Sequence, residues 1–248
     1  MTAFLCELQK ARRRWDGMVV TGIALLVLVW SSGSKPATED EKNTFYSALF
    51  YLLPLLHTVV MPIGMAALAS RLWDAETKGS TAKLLYTLQS RASLFAAKTA
   101  LGFLELGLVV VLELSGLLLM GHFAGVSEPL DAGQLLWVAV STLAVNSMLF
   151  LAASCLCICS GQTMRVMGIG LICSLCGLFA AYMPANYAYY VPFAFFLPLS
   201  GMAMDWNFET RIGRYHSVPF QFPMLGLTLA LSVLLLLLGW QAAKRKEV

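Results

Sequence analysis

The sequence predicts an all-α membrane protein with six transmembrane helices, and three observations carry that prediction. Of its 248 residues, 58% are apolar and only 12% charged, and the mean hydropathy is +0.73. Soluble domains carry charge on about 25% of their residues. The apolar residues are gathered into runs long enough to cross a hydrocarbon core of about 30 Å at about 1.5 Å per helical residue. Lys and Arg then fall almost entirely at alternate ends of those runs. Backbone in hydrocarbon must satisfy its own polar groups, and the runs lack the alternation of barrel strands, so each is read as a helix.

The first element is an amphipathic interfacial helix over 3–15, containing FLCELQKARRRW. Phe4, Leu5 and Leu8 share one face, and Glu7, Lys10 and Arg14 turn toward another. Lys10, Arg12, Arg13 and Arg14 are expected among anionic headgroups of the membrane lipids, each contributing up to about 1 kcal/mol near the surface. Spans follow at about 17–32, 45–72, 94–123, 135–159, 166–183 and 222–243, in one transmembrane domain over 1–248. The basic start and first apolar run lack a clear small-residue cleavage site, so the first span is expected to be retained. No repeat of fixed period and no low-complexity tract interrupts the chain.

The net charge of +3, from 17 Lys+Arg against 14 Asp+Glu, is too weak a bias for nucleic-acid binding but marks topology. Thirteen of the 17 basic residues fall on one side of a six-span arrangement, among them Arg71, Lys98, Arg165 and Lys244. Only Lys35, Lys42, Arg211 and Arg214 fall on the other. The positive-inside rule therefore places both termini in the cytoplasm. A seventh apolar stretch, 187–204, reads YAYYVPFAFFLPLSGMAM. A crossing there would put the basic C-terminal tail outside, and Pro192 and Pro198 would each remove a helix hydrogen bond. The stretch is read as re-entrant or interfacial, within an external segment over 184–220.

The cysteines point to packing rather than chemistry. Cys155, Cys157 and Cys159 turn by about 200° from one to the next on a helix and cannot converge on a metal. Cys173 and Cys176 share a face, but their CxxC lies in an apolar span without the strand-to-helix context of a redox motif. Cys6 falls on the cytoplasmic side, where a disulfide is not expected. No metal-ligand spacing links His57, His122 and His216, and no nucleophile elbow, paired protease acids or GxGxxG turn occurs. The intramembrane polar residues are Glu105, Glu113 and His57. A carboxylate in hydrocarbon is costly, so both acids should face protein or water. Eight residues apart, they point roughly 80° from one another and can both face a bundle interior without forming one site. Helix packing, a dimer seam and a polar translocation path are all open for them.

Between the second and third spans lies RLWDAETKGSTAKLLYTLQSRASLFAAK. Gly79 can end one helix and Ser80 can cap the next, a short cytoplasmic helix with Leu84, Leu85 and Leu88 on its apolar face. A soluble partner could seat that face, or the helix could lie on the membrane.

These elements carry a family resemblance. The ELQK start with its basic residues, the six spans, and a loop with Glu76, Gly79, LLYTLQSR ending at Arg91, and then Lys98, resemble the permease subunits of type-2 ABC exporters. Within that superfamily the pattern is similar to lantibiotic-immunity and bacitracin-resistance permeases, whose loops commonly read like LLSLPVSR before a lysine. Leu88 stands where those loops often have proline. The resemblance covers nearly the whole chain and implies a half-transporter in a bacterial cytoplasmic membrane. Two permeases, identical or sister subunits, would pair above two ABC ATPase subunits. Glu76, Gly79, Ser80, Thr81, Leu84, Leu85, Leu88 and Arg91 are then the candidate coupling residues.

The chain itself has no GxxxxGK[ST] phosphate loop, and Ser160-Gly161-Gln162 only echoes an ABC signature in a short loop. It is therefore expected to be a non-catalytic subunit with no cofactor of its own, ATP and Mg being bound by the partner ATPase. The expected activity is expulsion of a membrane-active peptide antibiotic such as a lantibiotic, in self-protection or resistance. The alternatives are an ABC exporter of lipids or drugs and, from another class, a non-transporting membrane scaffold or sensor.

Overall fold

The chain opens with two helices, α1 (Thr2–Arg14) and α2 (Asp16–Ser31), set 66° apart at Trp15 in the computed structural model. Trp15 holds φ 60° and ψ 37°, a left-handed conformation in which Cβ crowds the carbonyl, at a cost of roughly 1–2 kcal/mol. The structure describes residues 2–34, 42–77, 90–207 and 212–245. Five longer helices follow: α3 (Phe45–Thr77), α4 (Arg91–Ala124), α5 (Ala132–Ser160), α6 (Thr163–Tyr182) and α7 (Phe222–Arg245).

Each long helix is bounded by recognisable end chemistry. Ser90 caps α4 by accepting from Ser93 N, and Asp131 caps α5 by accepting from Gly133 N at 2.8 Å. Gly125 and Gly161, at φ 64° and 62°, end α4 and α5 in the left-handed conformation glycine adopts without penalty. At the start of α3, the Glu128 carboxylate accepts from the Tyr46 and Ser47 amides, fastening that end to the α4–α5 loop.

The chain is an all-α membrane protein: five of these helices are long and apolar enough to cross a bilayer, or six spans if the bent α1–α2 pair counts as one. The helical ends run past the expected spans, to Thr77 in α3 and back to Arg91 in α4. Hydropathy marks only the part of a helix matched to hydrocarbon, whereas the hydrogen-bonded backbone continues into polar sequence.

Helices α3 and α5 form the centre and are mostly buried, whereas α6 and α7 are mostly exposed. The outer helices therefore present Ile172, Phe179, Leu234 and Leu237 outward, as a bundle in lipid requires. Pro54 and Pro62 lie inside α3. Pro62 has no N–H to give the Thr58 carbonyl, and that oxygen faces Gly177 of α6 so closely that an added Cβ would lie 2.8 Å from it. Gly170, two turns earlier, would meet the Ala66 Cβ at 2.5 Å. Small residues thus let α3 and α6 approach, which is how apolar helices gain packing where no water drives them together.

Among the described residues, the 184–220 segment forms no crossing helix. Short 3-10 turns at Ala185–Tyr190 and Pro192–Ala194 lead into an antiparallel hairpin of β1 (Met202–Asn207) and β2 (Ile212–Ser217), with Asp205 opposite Arg214. Ala194, Phe195, Phe196 and Leu199 are buried. The Trp137 indole N–H donates to the Leu199 carbonyl at 2.7 Å, and the Gln134 amide donates to Gly201 at 3.2 Å. The hairpin is an addition to the reading of this segment as re-entrant or interfacial.

Candidate functional site

The candidate site is the set of buried charges inside the α1–α5 bundle, which falls into two groups. The first ties α1 and α2 to the bundle. Lys98 of α4 reaches Glu7 of α1 at 3.1 Å, and both side chains are only 1% exposed. The same ammonium donates to the Leu72 carbonyl near the end of α3 and lies 5.4 Å from the Trp73 ring centre. One lysine therefore joins three helices. Lys10 completes the Glu7 carboxylate from one helical turn away.

A turn further on, Arg14 gives Asp16 two hydrogen bonds at 2.9 and 3.1 Å. Arg71 of α3 holds the other Asp16 oxygen at 3.2 Å and donates to the Arg14 carbonyl. That carbonyl is one the end of α1 leaves unpaired, and Asp16 sits where the α2 dipole favours an anion. These bonds offset the strain at Trp15 and hold the elbow.

Burial alone would raise the Glu7 pKa, but the charges of Lys98 and then Lys10 overcome it and hold the group below its ordinary value. A carboxylate with a lowered folded pKa contributes stability that is complete above its unfolded pKa of about 4.3 and lost as pH falls through the folded value. Thermal stability in detergent is therefore expected to stay level down to about pH 5 and to drop below about pH 4. Glu7→Gln should remove part of that acid-side drop; an identical pH profile in the variant refutes the assignment.

The second group lies in mid-bundle. His57, twelve residues into α3, places Nε2 3.2 Å from Glu113 Oε2 of α4, both side chains 3% exposed. The contact is an ion-pair distance without hydrogen-bond alignment, and Glu113 Oε1 has no hydrogen-bond partner among the described residues. On the other side of the ring, His57 Nδ1 is 3.4 Å from Thr142 Oγ1 of α5. Phe196, from the 184–220 segment, packs its ring centre 5.4 Å from that of the imidazole. Asn146, one turn beyond Thr142, is fully buried with neither amide atom hydrogen-bonded among the described residues. Helices α3, α4 and α5 and the 184–220 segment thus converge on one carboxylate–imidazole pair.

Glu105 stands apart from it. It is buried, its carboxylate has no hydrogen-bond partner among the described residues, and it lies within electrostatic reach of Asp16, Arg14 and Arg71. The two acids of α4 therefore have different surroundings, and His57 joins only Glu113. Of the interfacial basic residues, Arg12 and Arg13 are exposed, Lys10 is half-buried against Glu7, and Arg14 turns inward to Asp16. That inward turn departs from the headgroup position expected for Arg14, because a carboxylate two residues along outcompetes a solvated headgroup. Among the coupling residues, Arg91 opens α4 half-buried and Glu76 lies in the last turn of α3. Gly79, Ser80, Thr81, Leu84, Leu85 and Leu88 lie outside the described residues.

Asp16, Thr142 and Asn146 go unmarked in the sequence reading, and Arg71 figures there only as a topology-marking charge. Asp16 had a usable signal, an acid directly after an arginine cluster and at the head of a span. Asn146 had one too, as an amide in the middle of an apolar run.

The sequence model of a family described as ABC-2 family transporter protein matches residues 3–183 of the chain. That range takes in α1 through α6, both groups of buried charge and the α3–α4 connection. No curated protein matches the chain.

Proposed function

The chain belongs to the ABC-2 family of transporter proteins, and we propose that it serves as the permease half of an ATP-driven exporter of membrane-active peptides. It is a multi-pass transmembrane subunit of an ABC transporter, and the family implies an ABC ATPase partner in general. In the proposed assembly two permeases, identical or sister subunits, sit above two ATPases that bind ATP and Mg. Both termini face the cytoplasm, a reading supported by the lopsided Lys and Arg distribution. Lantibiotic-like antibiotics are the proposed cargo, in self-protection or resistance.

The observation that carries this reading is the family match across the α3–α4 connection, whose 81–88 segment bears the apolar residues Leu84, Leu85 and Leu88. ATPase closure against that segment would load α3 and α4 together. Those two helices carry His57 and Glu113, so relative sliding between them changes the buried pair directly. A cavity of about 330 Å³ between α3, α5, α6 and α7, lined by Ala66, Met148, Val166 and Leu235 and reached by Phe193 of the 184–220 segment, is predominantly apolar and of a size for a hydrocarbon portion of a membrane-active molecule, not for a whole peptide.

The test is Leu84→Asp with Leu85→Asp. Burying one leucine against the ATPase contributes about 1.5–3 kcal/mol, so the pair of changes should leave membrane insertion intact while the ATPase is lost on purification. Undiminished co-purification and substrate-stimulated ATP hydrolysis would overturn the assignment.

A role for Glu113 in moving a cationic peptide has a separate expected result. Glu113→Gln keeps the shape and most hydrogen bonding but deletes the charge, so peptide protection should fall several-fold with folded yield unchanged. If glutamine is silent while leucine destabilises the protein, Glu113 is a helix-packing group.

A further inference from the structure

The α1–α2 elbow leaves a basic groove that the bundle does not use. α1, with 13 residues, extends about 20 Å at 66° to α2, an angle that lets an amphipathic helix lie along the bilayer surface while α2 enters it. The inward face of α1 is occupied by Glu7 and Arg14, paired with Lys98 and Asp16, while Lys10 sits at the edge, bonded to Glu7 of the same helix. An open, shallow groove of about 850 Å³ runs along α1 to the elbow, lined among the described residues by Cys6, Gln9, Lys10, Arg12, Arg13 and Trp15.

Neither Arg12 nor Arg13 has an ion-pair partner among the described residues, and both are exposed. Trp15 is 69% exposed despite its size, and Leu5, Leu8 and Met18 stand exposed on the same two helices. Guanidinium groups beside a tryptophan, on helices that also expose apolar side chains, match a molecule with an anionic head and hydrocarbon tails. A tryptophan with one wet edge and one apolar face belongs at that depth.

We propose that this elbow groove binds the phosphate of an anionic phospholipid. Arg12 and Arg13 hold the phosphate oxygens by charge-assisted hydrogen bonds, and Leu5, Leu8 and Met18 lie against the acyl chains. Lys10, already shared with Glu7, adds charge from the groove wall. The inward Arg14 anchors the elbow so that its two neighbours stay turned out. The site does not depend on what the transporter moves.

The experiment is native mass spectrometry of the full chain in neutral detergent, with phosphatidylglycerol and phosphatidylcholine offered together. Wild type should retain phosphatidylglycerol in preference. Arg12→Gln with Arg13→Gln should weaken that retention about 30-fold, the equivalent of about 2 kcal/mol at 1.4 kcal/mol per tenfold. Arg165→Gln, an exposed basic residue at the head of α6, should leave it unchanged. Millimolar inorganic phosphate should not displace the lipid. A second measurement needs no charge variant: brominated phosphatidylglycerol should quench the Trp15 emission, read as wild type minus Trp15→Phe, more than brominated phosphatidylcholine does.

Equal retention or equal quenching by the two lipids overturns the proposal, as does an equal loss in Arg165→Gln. Displacement by inorganic phosphate makes the groove a soluble-anion site instead. Unchanged lipid retention in the double arginine variant with loss of the ATPase makes it a protein contact.

Discussion

Lys98→Met is expected to destabilise the protein by about 3–5 kcal/mol, because it leaves a buried carboxylate without its main counter-charge. The lysine is 1% exposed and bound to Glu7, to the Leu72 carbonyl and over Trp73. Methionine fills similar volume, so the loss is electrostatic rather than a cavity. At about 2–4 °C per kcal/mol for a chain of this size, the melting midpoint in detergent should fall by roughly 10 °C. Glu7→Gln added to Lys98→Met should recover part of that loss, since a neutral amide tolerates the buried position better than an unpaired charge. A double variant no more stable than Lys98→Met alone would show that the pair is not coupled.

Gly177→Val is expected to cost about 3 kcal/mol by forcing α3 and α6 apart. A Cβ at Gly177 would lie 2.7 Å from Thr58 Cγ2 and 2.8 Å from the Thr58 carbonyl, and the second neighbour is backbone that cannot rotate away. Even Gly177→Ala should destabilise. The control is Gly168→Ala on the same helix, where an added Cβ meets nothing within 4 Å. There the helix preference for alanine should stabilise by about 0.5–1 kcal/mol. Opposite signs for the two alanine variants in thermal melts identify close packing as the cause; equal signs refute it.

The local pattern of the chain determined which stretches are helical and apolar enough to span. Insertion depends on transfer free energy summed over about 20 consecutive residues, a quantity written in one dimension. The α1 helix and its basic end were legible for the same reason, and the motifs around Glu76 to Arg91 and Lys98 carried the family. The two acids of α4 were legible as residues that must face the interior, because the cost of a carboxylate in lipid needs no knowledge of its partner.

Which buried groups meet was decided by the tertiary structure. Lys98 pairs with Glu7 across 91 positions and Thr142 approaches His57 across 85. Such pairings follow from the rotation and axial offset of whole helices, and hydropathy is nearly blind to both. That is why Glu113 rather than Glu105 found His57, and why Arg14 turned inward while Arg12 and Arg13 stayed out. The hairpin of β1 and β2 was hidden in a stretch rich in aromatic residues and prolines, with no Asn-Gly or Asp-Gly turn to announce it. Span number and position are sums over neighbouring residues, whereas partners among buried charges are set by the packing of distant helices.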